Sequence, residues 1–335
     1  MALLAWTEAR HIVTPAMPDR PSSDRPRRRS AIGIHSSKIW TQVLIIALVL
    51  SGCRREPIPI DVVIVAGQSN AVGCDADPDL LNTDPHDKEV LFWWRCGDPP
   101  PDDHDSNSGS SWTYLQPQPK GDPLPLDSNL RHWGNFSHDK GGFGPEVGLA
   151  RTMVGLRRSH IAIVKVAYSG TGLHRDWNPR DHGPSGACYR SLIGESRKAI
   201  KALQLKGYMP TLLAIAWVQG ENDCTIKDAD KYQERMTEFI ADLRSDIDAP
   251  GLFVLMGFNG RFAAPGYPSV KTVIAAQKNV ARKLTHCIYV ETDGATLMNS
   301  YHFDAAGNLE VGRRFALALL SAEDAQSAES GNAPQ

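Results

Sequence analysis

The 335-residue sequence lacks a large excess of charge of either sign, because 36 Lys and Arg residues stand against 38 Asp and Glu residues. Nucleic-acid binding requires a surplus of basic side chains that neutralise phosphates. The net charge of −2 therefore gives no reason to expect a nucleic-acid partner. The six cysteines include no pair at metal-ligand spacing, and this argues against a zinc site.

The sequence also lacks an apolar run long enough to span a bilayer, which takes about 20 residues. The run at residues 43–50 is short, follows basic residues from Arg25 to Lys38, and precedes Ser51-Gly52-Cys53. A positive flank, an apolar core and small residues are the parts of a secretory signal. Leu50-Ser51-Gly52-Cys53 also resembles the bacterial lipoprotein signal. Residues 1–53 are thus predicted to direct export, with a lipid on Cys53 as the membrane anchor in the cell envelope; an uncleaved anchor or a buried strand is the alternative.

Few cysteines follow the signal segment, and their number is odd: Cys74, Cys96, Cys188, Cys224 and Cys287. An exported protein can form disulfides. At least one of these thiols must lack a partner within the chain. The sequence leaves the connectivity open.

Short, β-branched apolar runs alternate with helical patterns after the signal segment. The apolar runs are residues 62–66, 161–167, 212–218, 252–257 and 288–291. The helical patterns are residues 146–158, 187–205, 228–247, 270–284 and 305–320. Strands buried on both faces of a parallel sheet have this nearly continuous apolar character. We therefore predict one α/β domain over residues 54–322, a three-layer α/β/α sandwich with about five parallel strands.

Polar clusters follow several of the predicted strands. Gly67-Gln68-Ser69-Asn70 follows the first, a segment with Gly170 and Gly172 follows the second, and Gln219-Gly220-Glu221-Asn222-Asp223 follows the third. His302 lies just before the last helix. The carboxyl ends of parallel strands meet at one edge of the sheet, where binding sites form. Ser69 fits a nucleophile or a helix N-cap, and His302 fits a general base.

Four motifs in this order resemble one family. They are Gly-Gln-Ser-Asn at Ser69, Gln-Gly-Glu-x-Asp at Glu221, His-Phe-x-x-x-Gly at His302, and Gly-Arg-Arg-Phe-Ala at residues 312–316. The chain from about residue 61 to 320 is similar to the sialate O-acetylesterase and acetylxylan esterase group, carbohydrate esterase family six, of the SGNH hydrolase superfamily. The resemblance implies a flavodoxin-like sandwich, no cofactor, and a serine esterase that removes acetyl groups from O-acetylated carbohydrate through an acyl-enzyme.

The resemblance also implies roles for individual residues. Ser69 is the nucleophile and His302 the base. The backbones of Ser69 and Gly170 contribute to the oxyanion hole. A side-chain amide completes it, with Asn222 favoured and Gln219 as the rival.

The carboxylate that orients His302 is a departure from the superfamily pattern. Asn299 stands three residues before the histidine, where much of the superfamily has Asp, and it is expected to matter little. A neutral amide cannot stabilise an imidazolium as a carboxylate does. We predict that Glu221 takes this role, with Asp293 and Asp304 as alternatives. Asp304 fits a helix cap better.

Residues 75–140 are rich in Asp, Pro, Gly, Ser and Asn and are predicted to form a long insertion. Its tryptophans, at positions 93, 94, 112 and 133, can either stack on sugar rings or fasten the loop to the domain. Residues 323–335 are predicted to be a disordered tail. The sequence leaves open the acetylated glycan and the oligomeric state. Two rival functions remain, a non-catalytic glycan-binding lipoprotein and a lipid esterase or thioesterase of the same superfamily.

Overall fold

The computed structural model describes residues 56–121, 136–157, 159–183 and 185–331. The predicted signal segment with Cys53, the tryptophan at position 133 and residues 332–335 lie outside these ranges. Within them, no helix has both the length and the apolar character needed to cross a membrane.

The five predicted strands are present and parallel. They are β1 (Ile58–Gly67), β5 (His160–Tyr168), β6 (Tyr208–Val218), β7 (Phe253–Gly257) and β8 (Cys287–Tyr289). They lie side by side in the order β5-β1-β6-β7-β8. Counted along the chain this order is 2-1-3-4-5, which is the flavodoxin-like arrangement. The predicted α/β/α fold with parallel strands is therefore confirmed.

The sheet has further strands that the sequence did not indicate. β2 (Val90–Gly97) pairs in parallel with β5, and the two-residue strands β3 (Ser106–Asn107) and β4 (Thr113–Tyr114) pair with β2. The predicted insertion at residues 75–140 therefore contributes three strands to the sheet. β2 is a largely buried strand of eight residues. It was not predicted because the residues around it are polar and typical of loops.

Helices cover both faces of the sheet. One face carries α3 (Ala187–Leu205), α5 (Tyr232–Asp246) and α6 (Val270–Lys283), and the other carries α1 (Ser69–Val72), α2 (Glu146–Leu156) and α7 (Ala305–Gly331). A further one-turn helix, α4 (Ile226–Ala229), precedes α5. Successive β1 residues alternate between the two cores, as the two-residue period of a strand requires.

Three of the insertion's tryptophans fasten it to the domain. Trp93, Trp94 and Trp112 are at most 8% exposed. The indole of Trp93 donates to Glu195, and that of Trp112 donates to the carbonyl of Ala199, both on α3. None of the three is therefore available to stack on a ligand.

The predicted disordered tail is also different in the structure. Helix α7 continues to Gly331, well beyond residue 322. Residues such as Glu323 and Ala325 have a high intrinsic preference for a helix.

A fully buried ion pair lies beneath the first helix. Lys165 of β5 and Glu146 of α2 have unexposed side chains, with 3.0 Å between Nζ and Oε1. Lys165 Nζ also donates to the Gln118 side chain and to the carbonyl of Val72, the last residue of α1. This ammonium group therefore ties the sheet to three other segments.

Replacing Lys165 with Met should lower the free energy of unfolding by about 3–5 kcal/mol, because Glu146 would remain as a buried charge without its partner. Urea denaturation measures this. The exposed pair of Lys278 with Glu291 supplies the control, since Lys278→Met should cost at most about 1 kcal/mol. Equal losses in the two variants would contradict this account of the buried pair.

Candidate active site

A cavity of about 570 Å³ opens at the carboxyl ends of the parallel strands. Most of the predicted site residues line it, from segments after β1, β5 and β6 and before α7: Ser69, Gly170, Glu221, Asn222 and His302. The sequence prediction that these polar clusters converge is thus confirmed.

The serine lies on a tight turn between β1 and α1. Gly67 has a φ of +139°, and a Cβ on it would lie 2.1 Å from the carbonyl oxygen of Val218. Only glycine allows the two strand ends to approach so closely. Ser69 is the first residue of α1, where backbone N–H groups have no partner within the helix. Its hydroxyl thus belongs to the cavity wall rather than to an N-cap, since Gln68 occupies the cap position.

The end of α1 brings a carboxylate to the same cavity. Gly73 terminates this helix in the left-handed conformation with a φ of +74°, and a Cβ there would lie 1.9 Å from the Phe143 carbonyl oxygen. The chain therefore turns sharply, and Cys74 and Asp75 follow the turn into the cavity wall.

Asp75 is the carboxylate that holds His302. Its Oδ2 lies 2.8 Å from His302 Nδ1. The hydrogen bond from His302 is the main reason that the pKa of Asp75 lies well below its usual range, and hydrogen bonds from Ser137 and Asn299 add to it. The carboxylate therefore remains ionised at any pH at which the protein is expected to work, and it fixes the histidine ring by the nitrogen that faces away from a reacting group.

Glu221 is not placed as the sequence predicted. Its Oε1 accepts hydrogen bonds from the Asn70 amide at 2.6 Å and from the Asn259 backbone at 3.2 Å. Burial raises the pKa of its carboxyl. Glu221 therefore joins the serine turn to the loop after β7, while the position beside His302 belongs to Asp75. The choice of Glu221 as the orienting acid was wrong. Its place in a motif does not show which carboxylate oxygen faces the His302 ring.

Neither alternative acid contacts the histidine ring in the described structure. Asp304 Oδ1 accepts from the Gly307 backbone and from Thr296, so it caps α7 as its sequence position suggested. Asp293 is exposed, and its carbonyl accepts from Arg314. Both are therefore replaced by Asp75 in the assignment.

Asn299 hydrogen-bonds to both Asp75 and the segment of His302. Its Nδ2 donates to Asp75 Oδ2 at 2.7 Å, and its Oδ1 accepts from the backbone of Tyr301 and of His302 at 2.8 and 2.9 Å. The amide thus holds both members of the Asp75–His302 pair. These contacts argue against the expectation that Asn299 matters little, because a side-chain amide can support a carboxylate that comes from elsewhere in the chain.

The serine turn also holds the histidine loop directly. Asn70 Nδ2 donates to the Tyr301 carbonyl at 3.0 Å, and Asn70 Oδ1 accepts from the Phe303 backbone at 3.0 Å. These two backbone groups flank His302. The ring is therefore fixed relative to Ser69 even though, in the part of the chain that the structure describes, no hydrogen bond joins Ser69 Oγ to the ring. Such contacts often form only when a substrate is bound.

The amide of Asn222 is aimed by two neighbours. Nδ2 donates to the Gly170 carbonyl at 3.0 Å, and Oδ1 accepts from the Tyr267 hydroxyl at 3.2 Å. A side-chain amide has two N–H groups, so the second remains for a ligand in the cavity. Gly170 lines the cavity beside it with a φ of +66°.

Gln219 does not serve this purpose. It is fully buried, and its Nε2 donates to the Thr171 carbonyl and to Asp223 Oδ2. Both amide hydrogens are used inside the protein. The rival oxyanion donor considered from the sequence is therefore excluded.

Among the site residues that went unrecognised in the sequence, two lie within residues 75–140. Asp75 and Ser137 form one hydrogen-bonded pair at the cavity. Asp75 carried one available signal, a carboxylate two residues after the glycine that ends the serine helix. Ser137 carried none, because only the folded insertion brings it to Asp75.

The family model described as "Carbohydrate esterase, sialic acid-specific acetylesterase" matches residues 59–321. This chain belongs to that family. The esterase is accordingly a carboxylic ester hydrolase for O-acetylated carbohydrate. The resemblance drawn from its four motifs is confirmed. No curated protein matches the sequence.

Solved structures share the fold. One is a protein from Arabidopsis thaliana with 21% identity and a TM-score of 0.56, covering 78% of this chain and 98% of its own. Another is NanS, with 18% identity and a TM-score of 0.53, covering 81% of this chain and 99% of its own. A carbohydrate acetylesterase from Xanthomonas citri has 17% identity and a TM-score of 0.50, covering 77% of this chain and 55% of its own.

Replacing Asp75 with Asn should lower kcat by up to about 10⁴-fold, because a neutral amide neither fixes the productive tautomer nor stabilises the imidazolium. Steady-state hydrolysis of p-nitrophenyl acetate measures this. Glu221→Gln is the matched comparison. It keeps an oxygen for Asn70 and Asn259, so its loss should be much smaller. A collapse in Glu221→Gln together with near-normal activity in Asp75→Asn would restore the original assignment.

Replacing Asn299 with Ala should lower kcat by about 10- to 100-fold, the effect of losing a hydrogen bond to a charged group worth about 1.5–3 kcal/mol. The pKa of Asp75 should rise because a donor to its charged form is lost. Ser300→Ala, at an exposed neighbouring position, is the control. An unchanged kcat in Asn299→Ala would contradict the positioning role.

Proposed function

We propose that the esterase works through a serine acyl-enzyme, with Ser69 as the nucleophile, His302 as the base and Asp75 as the residue that orients the base. One observation carries the proposal. The Asp75–His302 pair, with 2.8 Å between its atoms, lines the same cavity as the serine turn. This constellation is the one that serine hydrolases of unrelated folds share.

The reaction then proceeds in two halves. His302 accepts the proton of the Ser69 hydroxyl, whose oxygen attacks the acetyl carbonyl. The Asn222 amide and backbone N–H groups of Ser69 and Gly170 stabilise the oxyanion. The sugar hydroxyl leaves with the proton from His302. Water, deprotonated by the same ring, then releases acetate and restores Ser69.

The cavity rim supports a carbohydrate substrate. Phe262 lies between Tyr267 and Tyr301, with ring centroids 5.6 and 5.9 Å apart, and all three residues line the cavity. Tyr301 is 41% exposed. Aromatic surfaces of this kind can pack against a sugar ring while the acetyl group reaches Ser69. They take the place that the sequence suggested for the tryptophans.

We also retain, as a proposal, export of the protein and anchoring through a lipid on Cys53. The basic flank, the short apolar run and the Leu-Ser-Gly-Cys order support it. The active-site domain would then act on glycans outside the cytoplasm.

Replacing Ser69 with Ala should abolish turnover of O-acetylated sugars beyond the residual rate that binding and oxyanion donors provide. Acetate release is to be measured on acetylated sialic acid and on acetylated xylan. A p-nitrophenyl ester series of increasing acyl length completes the panel. Ser300→Ala is the control.

Near-normal acetate release from Ser69→Ala would refute the mechanism. A preference for long acyl chains would favour the lipid esterase. Tight glycan binding by the unaltered protein without any acetate release would favour the binding protein.

A further inference from the structure

Cys74 adds a sulfur atom to the active site, beside the carboxylate oxygen of Asp75 and the ring nitrogen of His302. These three atoms, each of a type that can hold a metal ion, lie within 4.8 Å of one another. All three residues line the cavity. Spacing along the chain could not show this cluster, because two members are adjacent and the third is 227 positions away from Asp75.

The three groups match the preferences of one cation. Zn²⁺ takes sulfur, imidazole nitrogen and carboxylate oxygen at about 2.0–2.3 Å, commonly with three protein ligands and one open position. Ligand atoms on a tetrahedron of that size are about 3.3–3.8 Å apart. The present separations are compatible with this after a small movement, since the Asp75–His302 contact must open from 2.8 Å. The fourth position would face the cavity.

We infer that Zn²⁺ binds to Cys74, Asp75 and His302 and reversibly inhibits the esterase. The inference rests on the proposed function for its effect on activity, although not for the binding itself. Zinc would act at the same atoms that prepare the base, so it would block catalysis without occupying the substrate's part of the cavity.

The protons balance as follows. Zinc displaces the thiol proton of Cys74, which leaves to solvent. It also takes the Nδ1 lone pair of neutral His302, so the ring proton must lie on Nε2. A ring protonated on Nε2 cannot accept the proton of Ser69. Asp75, already ionised, exchanges its hydrogen bond from the ring for the metal.

Without a metal, Asp75 Oδ2 and His302 Nδ1 keep their contact of 2.8 Å, so the resting site is that of the esterase. A hard cation such as Mg²⁺ requires oxygen ligands in octahedral geometry and should not inhibit.

The experiment uses the purified esterase after treatment with a chelator. ZnCl₂ is titrated against p-nitrophenyl acetate hydrolysis, and zinc binding is measured separately by competition with a chromophoric chelator. Each variant is compared with its own metal-free rate. Cys74→Ala removes the sulfur, Cys74→Ser keeps the side-chain volume, and Cys287→Ala is the control at the opposite end of the sheet.

We expect one zinc ion per chain and inhibition that excess chelator reverses. Losing an outer-shell partner of a metal site costs about 10–100-fold in affinity. Losing a ligand should cost more, so the half-inhibitory zinc concentration should rise by more than about 100-fold in both Cys74 variants. Cys287→Ala should behave as the unaltered protein. Co²⁺ should give a thiolate charge-transfer band that disappears in Cys74→Ala.

Zinc binding and inhibition that are the same in Cys74→Ala and the unaltered protein would overturn the inference, as would failure of the unaltered protein to bind zinc. Ser69→Ala separates this result from the proposed function. Because Ser69 is not a ligand, that variant should bind zinc normally. Absence of esterase activity in the unaltered protein would refute the mechanism, while the chelator competition would still report the metal site.

Discussion

The geometry of the active site depends on the hydrogen bonds of the Asn70 side chain. It donates to Glu221 after β6 and to the Tyr301 carbonyl before α7, and it accepts from the Phe303 backbone. Three segments that are far apart in the chain are thus joined at the residue next to Ser69. Since Asn70 and Glu221 are almost fully buried, water cannot replace these hydrogen bonds. The position of the His302 ring follows from this network.

The carboxylate that serves His302 comes from the serine segment rather than from the histidine loop. Gly73 ends the serine helix and places Asp75 only six positions after Ser69 in the chain. Ser69 and Asp75 therefore share one short turn, and His302 lies against it. Asn299 remains in the histidine loop as a neutral support for the displaced carboxylate. The His302 ring therefore contacts a carboxylate through Nδ1, as the histidine of a conventional triad does.

Placing the carboxylate there has a consequence for its neighbour. The turn that delivers Asp75 also delivers Cys74 to the cavity wall. A sulfur atom close to a histidine and a carboxylate makes a site to which a soft cation is suited. The turn that delivers Asp75 to the active site therefore also supplies the sulfur atom of the proposed zinc site.

Much of the architecture follows from the sequence alone. The five continuous apolar runs specified the parallel strands because both faces of such strands must be buried, and the polar residues that follow them specified the edge at which Ser69, Asn222 and His302 converge. β2 escaped notice because its apolar segment lies among residues typical of loops. Only the tertiary structure decided which carboxylate faces His302. It also decided which side-chain amide already donates both of its hydrogens inside the protein. A hydrogen-bond partner depends on where each side chain points and on differences in position of a few ångströms. The order of residues in a sequence does not contain this information.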